Sequence, residues 1–230
     1  MRYAQPAEGF RSGIEPVLLA ASIPARSGEQ VLEAGTGAGA ALLCLSARVA
    51  GIRAAGVEID AGLARLATSN AAANGFGDMQ IIAGAIETAA LPGRFDHALA
   101  NPPYHAPHGT ESPDESRETA KRGSDALMHA WIARLSASLR NRGTLTVIVP
   151  AGMIPACLAA MTLSDSPCAA IFPLWPKAGR AAKLALLRGI RQGRGTMRLL
   201  PGLVLHQPDG SFTRAAQAIL REGADLDLRG

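Results

Sequence analysis

The 230-residue sequence contains no run of about 18 uncharged apolar residues, so no segment predicts a membrane span. Its opening, MRYAQPAEGF, lacks the basic-then-apolar order of a signal peptide, and the chain is expected to be cytoplasmic. Cysteine is scarce: Cys44, Cys157 and Cys168 are odd in number and far apart, which fits neither a disulfide framework nor a zinc spacing. They are predicted to be small core residues. Of the five histidines only His105 and His108 lie close together, with no second pair of ligands, so no metal is expected. Internal repeats and low-complexity blocks are absent. Acidic residues vanish between Asp165 and Asp209, an interval that holds Lys177, Arg180, Lys183, Arg188, Arg191, Arg194 and Arg198. In a chain of net charge +4, such a tract fits either a polyanionic partner or a solvated cationic face.

What is present is an alternation of apolar strands, glycine turns and helices. EQVLEAG reads as a strand and GAGAALLCLSARVA as the helix that follows at once. RAAGVEI, AGLARLATSNAAANG and MQIIAGA continue as strand, helix and strand. RFDHALAN and GTLTVIVP are the fourth and fifth strands, joined through the helix SDALMHAWIARLSASLRNRG. Strands alternating with helices imply right-handed crossovers and a mostly parallel sheet in an α/β fold. IEPVLLAASI predicts a short helix over the sheet or its ligand crevice. AAKLALLRGI and TMRLLPGLVLH, joined by RQGRG, read as a hairpin that gives the sheet an antiparallel edge, and FTRAAQAILREG closes the chain as a helix started near Thr213. The polar stretch from His105 to Gly123 is read as a long loop, a candidate lid. One domain is expected over 1–230, with 1–29 as an N-terminal cap, 30–165 as the ligand-binding core, and 166–230 as edge strands, basic tract and terminal helix.

Gly35, Gly37 and Gly39 form GxGxG between the first strand and its helix. Glycine there allows a tight turn and close approach of a ligand to the helix N-terminus. Glu33, two residues before the first glycine, would repel a pyrophosphate and could meet an ammonium or lie next to the turn. Glu58 ends the second strand at the distance where a carboxylate accepts both ribose hydroxyls. Together the two acids suit a nucleoside that carries an amino acid, as S-adenosylmethionine does, better than a dinucleotide. Ala34 and Ile59, neighbours of these acids, complete this part of the candidate cofactor site.

ALANPPYHAP then ends the fourth strand with an amide, two prolines and an aromatic ring. An exocyclic amine on a nucleobase is a poor nucleophile because its lone pair is delocalised into the ring. If the Asn101 amide oxygen and the Pro102 carbonyl each accept one N–H, the nitrogen is drawn toward tetrahedral geometry and its lone pair toward a sulfonium methyl. Pro102 and Pro103 fix the backbone that presents those acceptors. Tyr104 offers a face on which a planar substrate can stack, worth about 1–3 kcal/mol per base. Asn101 also borders the donor site.

NPPY after a GxGxG strand turn resembles the class I, S-adenosylmethionine-dependent methyltransferases that modify planar amide or amine nitrogens. More narrowly, GFRSGIEPVLLAA, NPPYH, FPLWPKAGRAAKLALLRG, MRLLPGLVLHQPDGSFT and AILREG, spread nearly end to end, resemble the bacterial tRNA adenine-N6 methyltransferases that act beside the anticodon of a valine tRNA. The resemblance implies a Rossmann-like, mostly parallel seven-stranded sheet with helices on both faces, and S-adenosylmethionine as cofactor. The sequence departs from the family's pattern in three places: Glu33 and Glu15 stand where Asp is usual, and Ala85 replaces an Asp that binds the adenine amine. Adenine recognition is therefore expected to rest on the main chain of Ala85 and Ile86.

A flipped base needs a docking surface for its polymer, and Lys177, Arg180, Lys183 and Arg188 are the candidate RNA contacts. Trp175, just before them, is read either as a stacking platform or as core. The expected partner is RNA, with tRNA favoured, and no membrane; the oligomeric state is left open. Three other readings stand beside it. One is methylation of a protein glutamine, although such enzymes usually carry an N-terminal helical domain and only about thirty residues precede Gly35. The others are a DNA adenine enzyme without a visible target-recognition segment, and a catalytically idle RNA-binding module.

Overall fold

The computed structural model describes residues 1–6, 12–103 and 114–229, the side chains of 114–124 excepted. Tyr104, His105 and His108 lie outside the described residues. The elements in chain order are α1 (Glu15–Ser22), β1 (Gln30–Ala34), α2 (Ala40–Arg48), β2 (Arg53–Glu58), α3 (Ala61–Ala73), β3 (Met79–Ala83), β4 (Phe95–Ala100), α4 (Asp114–Ser138), β5 (Leu139–Pro150), α5 (Ile154–Leu163), β6 (Cys168–Lys177), β7 (Leu184–Ile190), β8 (Arg198–Leu199), β9 (Leu203–His206) and α6 (Arg214–Glu222). The sheet runs β3-β2-β1-β4-β5-β7-β6-β8, and β9 also pairs with β6. β1 to β5 are mutually parallel, and β7 is antiparallel to both β5 and β6. The mostly parallel sheet with an antiparallel edge is as expected, but it has nine strands: β6 is added to those read from the sequence, and TMRLLPGLVLH supplies two short strands, β8 and β9.

Each face of the sheet has its own apolar layer. On one face α1, α2 and α6 pack Leu18, Leu19, Leu42, Leu45 and Ile219 against Val31, Leu99, Ile148 and Leu186. On the other, α4 and α5 pack Met128, Ile132, Leu135 and Met161 against Leu32, Ala98, Val147 and Leu187. The alternation Leu32/Val31 and Ala98/Leu99 is the period-two signature of strands that are buried on both sides. Cys157 and Cys168 are buried free thiols in the second layer, and burial pushes them up to about 12 and about 11, so neither forms a thiolate readily.

The hairpin lies one strand earlier than the sequence predicts. β6 pairs with β7 through the turn at 178–183, whereas β8 and β9 run parallel to β6. The cause is Pro201–Gly202. Proline removes a ladder donor, and Gly202 turns left-handed with φ of 82°, so TMRLLPGLVLH breaks into two pieces that cannot form one long partner for β7. The loop expected to reach Gly123 is also shorter, because α4 begins at Asp114. The stretch DESRETAKR is rich in good helix formers, which outweigh its polarity.

Arg188 corrects another expectation. Placed among the candidate RNA contacts, it is only 5% exposed. Its guanidinium donates to the Ser22 carbonyl and to Thr146 Oγ1. The last carbonyls of a helix lack partners within it and carry its negative pole, and α1 meets this need from three parts of the chain. Arg48 donates to Ala20 O and Ile23 O at 3.0 and 2.6 Å, Leu226 N donates to Ala21 O at 2.9 Å, and Arg188 takes Ser22. Arg188 is thus a buried cap for α1, with its guanidinium committed to Ser22 and Thr146.

Candidate active site

The strand register brings the site together. Ala34 pairs with Val57 on one side and with Ala100 on the other, while Glu58 pairs with Ala83. Gly35, Glu58, Ala83 and Asn101 therefore stand level at the carboxyl ends of four adjacent strands. With strands about 4.8 Å apart, Glu58 and Asn101 flank the glycine turn across about 10 Å. This edge is where open α/β sheets bind ligands.

The turn is left-handed at Gly35, Gly37 and Gly39, with φ of 64°, 56° and 90°. A Cβ on Gly35 would sit 2.7 Å from the ring of Trp131, whereas one on Gly37 would meet nothing within 4 Å. Gly35 thus accommodates an α4 tryptophan, and Gly37 presents bare backbone to open space. Glu58, 7% exposed, accepts from Gly37 N at 2.8 Å through Oε2 and from Asp60 N at 2.9 Å through Oε1. Two backbone donors fix its carboxylate beside the turn, and each oxygen keeps a second lone pair for a ribose hydroxyl. Next to it Ile59 is 75% exposed, an apolar surface suited to the face of an adenine ring.

Of its two expected placements Glu33 takes the one next to the turn. It is 3% exposed and accepts from Thr36 Oγ1 at 2.6 Å. Burial pushes its carboxyl up to about 8, despite the opposing hydrogen bonds from Thr36 and the Leu42 backbone. It braces the turn through Thr36. Ala34, fully buried, ends β1 directly below.

Beyond the end of β3, at the same edge of the sheet, the chain turns at 85–88. Ala85 O accepts from Ala89 N at 2.9 Å, and Ile86 O accepts from Arg134 Nε at 3.2 Å, with the Ile86 side chain buried. Arg134 also binds Ala89 O at 2.7 Å, so α4 holds this turn at two carbonyls. Asn101 is half-buried, Pro102 is buried and Pro103 is exposed at the end of β4. Lys177, Arg180 and Lys183 lie on the β6–β7 turn. Leu184 pairs with Pro150 of β5, so these cations share the carboxyl edge with Asn101. The tract read as continuous in sequence is folded in two: Arg191 and Arg194 stand at the opposite edge.

Several residues of the site escape sequence reasoning. Gly56 in β2 leaves room for Thr36, which a Cβ there would approach to 2.8 Å. Asn70 of α3 is 3% exposed, and its amide donates to Ala38 O in the glycine turn and to Ala4 O, which ties the N-terminal segment to the turn. Trp131 and Arg134 belong to the same group. Only Asn70, an amide within the alanine-rich face of a helix, leaves a trace in the sequence that a search for buried polar groups would catch.

Strand order, glycine turn, Glu58 and the strand-ending Asn-Pro-Pro define a class I methyltransferase, the Rossmann-like fold of S-adenosylmethionine-dependent enzymes. The chain belongs to the methyltransferase small domain family, whose model matches residues 16–153. A protein of Aeromonas hydrophila named tRNA1(Val) (adenine(37)-N6)-methyltransferase is 30% identical over 208 residues, covering 89% of this chain and 86% of that protein. One of the same name from Porphyromonas gingivalis is 35% identical over 155 residues, covering 61% of this chain and 59% of its own length. Among solved structures, one described as a predicted O-methyltransferase from Agrobacterium tumefaciens aligns over 94% of this chain and all of its own, with a TM-score of 0.77 at 20% identity. That likeness concerns the fold.

The residues present fit S-adenosylmethionine: open backbone at Gly37, a carboxylate fixed at Glu58, and an exposed apolar side chain at Ile59. Among the described residues no group of three or more His, Cys, Asp or Glu side chains could hold a metal. None of the described helices is long and apolar enough to cross a membrane.

Proposed function

We propose that the chain transfers a methyl group from S-adenosylmethionine to the N6 amine of an adenine in RNA, with tRNA as the substrate. The observation that carries the reading is the level of Asn101 with the glycine turn and Glu58 on neighbouring strands. When bound, S-adenosylmethionine supplies a sulfonium methyl, and the sulfur is left as a neutral thioether when the carbon passes to nitrogen. Glu58 holds the ribose hydroxyls, and Ile59 with the Ala85–Ile86 turn receives the donor's adenine. The Asn101 side-chain oxygen and the Pro102 carbonyl accept the two N–H groups of the target amine, turning its lone pair toward the methyl. Neither acceptor is a base at neutral pH, so the methylated nitrogen sheds its extra proton to water after transfer, and the acceleration comes from placement, the term that near-attack geometry supplies. Tyr104, outside the described residues, completes the motif as a stacking face for the target base.

The names of the relatives support tRNA over DNA or protein, as do Lys177, Arg180 and Lys183 on the same sheet edge as Asn101. Incubation with labelled S-adenosylmethionine and tRNA, DNA or protein, followed by location of the label, tests the acceptor. Label on N6-methyladenine in tRNA is expected, and label confined to protein would overturn the reading. Asn101→Ala is expected to abolish transfer while the donor dissociation constant, measured by calorimetry, stays within about twofold; Glu58→Gln is expected to weaken donor binding at least tenfold, about 1.4 kcal/mol. Retained turnover in the first variant, or unchanged affinity in the second, would remove that residue from its role.

A further inference from the structure

Beside the cationic turn at 178–183 the sheet leaves part of its α5 face uncovered. A groove of about 640 Å³ opens there, lined by Ile154 at the start of α5, by Ile171, Pro173 and Trp175 of β6, by Ala182, and by Leu199 of β8. Its size falls within the range of small-molecule clefts, about 300–1,000 Å³. The lining is apolar and Leu199 is 74% exposed, an unusual place for a leucine unless something covers it.

Trp175 is fixed within this groove. Its Nε1–H donates to Pro201 O at 3.0 Å, and Gly202 approaches so closely that a Cβ there would lie 2.7 Å from Nε1. One edge of the indole is thereby pinned while its ring remains part of the groove wall. The rim is mainly cationic. Arg180 and Lys183 are exposed on the turn, and Lys177 Nζ binds Pro208 O at 2.8 Å with Asp209 close by. From 166 to 208 the chain has no carboxylate side chain. A pinned aromatic ring in an apolar floor, bordered by cations on the edge that bears Asn101, matches one kind of occupant: a planar heterocycle joined to phosphates.

We infer that this groove binds an unpaired nucleobase of the RNA next to the target adenine, stacked on Trp175, while Arg180 and Lys183 hold its phosphates. The inference rests on the RNA reading above and extends it to a second base, so that the enzyme grips the splayed strand at two points and selects targets by the neighbour of the adenine. Base–aromatic stacking tolerates any base, so the selectivity expected here is for an unpaired neighbour over a paired one.

The test is equilibrium binding of a fluorescently labelled RNA stem-loop, with single abasic positions scanned through the loop, on the wild type and on Ala182→Trp, which fills the groove from an exposed turn. Ala182→Trp is expected to raise the dissociation constant about tenfold, within the range of one base–aromatic stack, and to leave donor affinity unchanged. One abasic position beside the target adenine is expected to cost the wild type the same factor and to cost Ala182→Trp nothing further. Leu199→Asp, at a site exposed enough to spare the fold, is expected to weaken binding similarly by setting a carboxylate on the groove's lip. Unchanged affinity in both variants, or penalties that multiply, would overturn the inference. So would sedimentation showing a dimer that Ala182→Trp dissolves, since the groove would then join two copies of this chain. If the wild type binds RNA but labels no adenine, the catalytic reading fails and the groove is still judged by the binding data.

Discussion

Burial opposes ionisation of Glu33 more strongly than two hydrogen bonds favour it, which pushes its carboxyl up to about 8. A carboxyl raised in the folded state binds more protons than the unfolded chain does between its ordinary range and about 8. Stability is therefore greatest below the ordinary range and falls as pH rises through about 8. Glu33→Gln, which keeps the acceptor for Thr36, is expected to flatten that fall, as read from urea midpoints across the interval; an identical slope in both proteins would refute the assignment. Gly35 gives a second test. Alanine there meets a left-handed backbone, about 1–3 kcal/mol, and also the Trp131 ring. Gly35→Ala is expected to cost less stability in a Trp131→Ala background than in the wild type, a coupling that thermal unfolding of the four proteins measures. Glu58 and Asn101 were legible in the sequence because ends of parallel strands are where side chains meet ligands. The inward turn of Glu33 and the crowding of Gly35 by Trp131 were not, since the first depends on how the turn folds over its own strand and the second on a helix nearly one hundred residues away.

At the level of the element, α3 shows how a local signal serves the site. Asp60 caps the helix, accepting from Gly62 N at 2.7 Å and Leu63 N at 2.9 Å, while its own amide donates to Glu58. Asp60→Ala is expected to lower stability by about 1 kcal/mol, and calorimetric donor binding should weaken less than in Glu58→Gln, since the amide remains. Strand identities were readable from apolar runs and turns, and β1 to β5 form the parallel part that the alternation predicts. Pairing among the last strands was not readable. Pro201–Gly202 splits one apolar run, and the choice of β6 as the neighbour of β7 is made by the packing of Ile171 and Leu187 in one layer and by the room for a backbone approach at Gly189, where a Cβ would meet Ser166 O at 2.4 Å. Neither fact has a local signature. α4 shows the converse: a stretch whose polarity reads as a loop starts a helix, because its helix propensity outweighs its charge.

For the whole molecule, the folding of the basic tract sets how charge is displayed. Sequence alone suggests one cationic strip. The hairpin instead places Lys177, Arg180 and Lys183 at the carboxyl edge, buries Arg188, and sends Arg191 to the far edge, where it binds Ser164 O at 3.0 Å. Substituting both Arg180 and Lys183 by Ala is expected to reduce the slope of log affinity for tRNA against log salt by about 0.7–0.9 for each phosphate left without its cation. Substituting Arg194 on the far edge is expected to leave that slope unchanged, and equal effects at both edges would argue for a diffuse cationic surface. The clasp on α1 acts over a similar span. Its carbonyls are met by Arg48, by Arg188 and, through Ala21, by Leu226, so the first helix finds its last partner some two hundred residues downstream. During synthesis the ribosome releases α1 long before Leu226 emerges from the exit tunnel, and the first helix must wait, incompletely fastened, until the rest of the sheet has formed and the tail arrives to secure it.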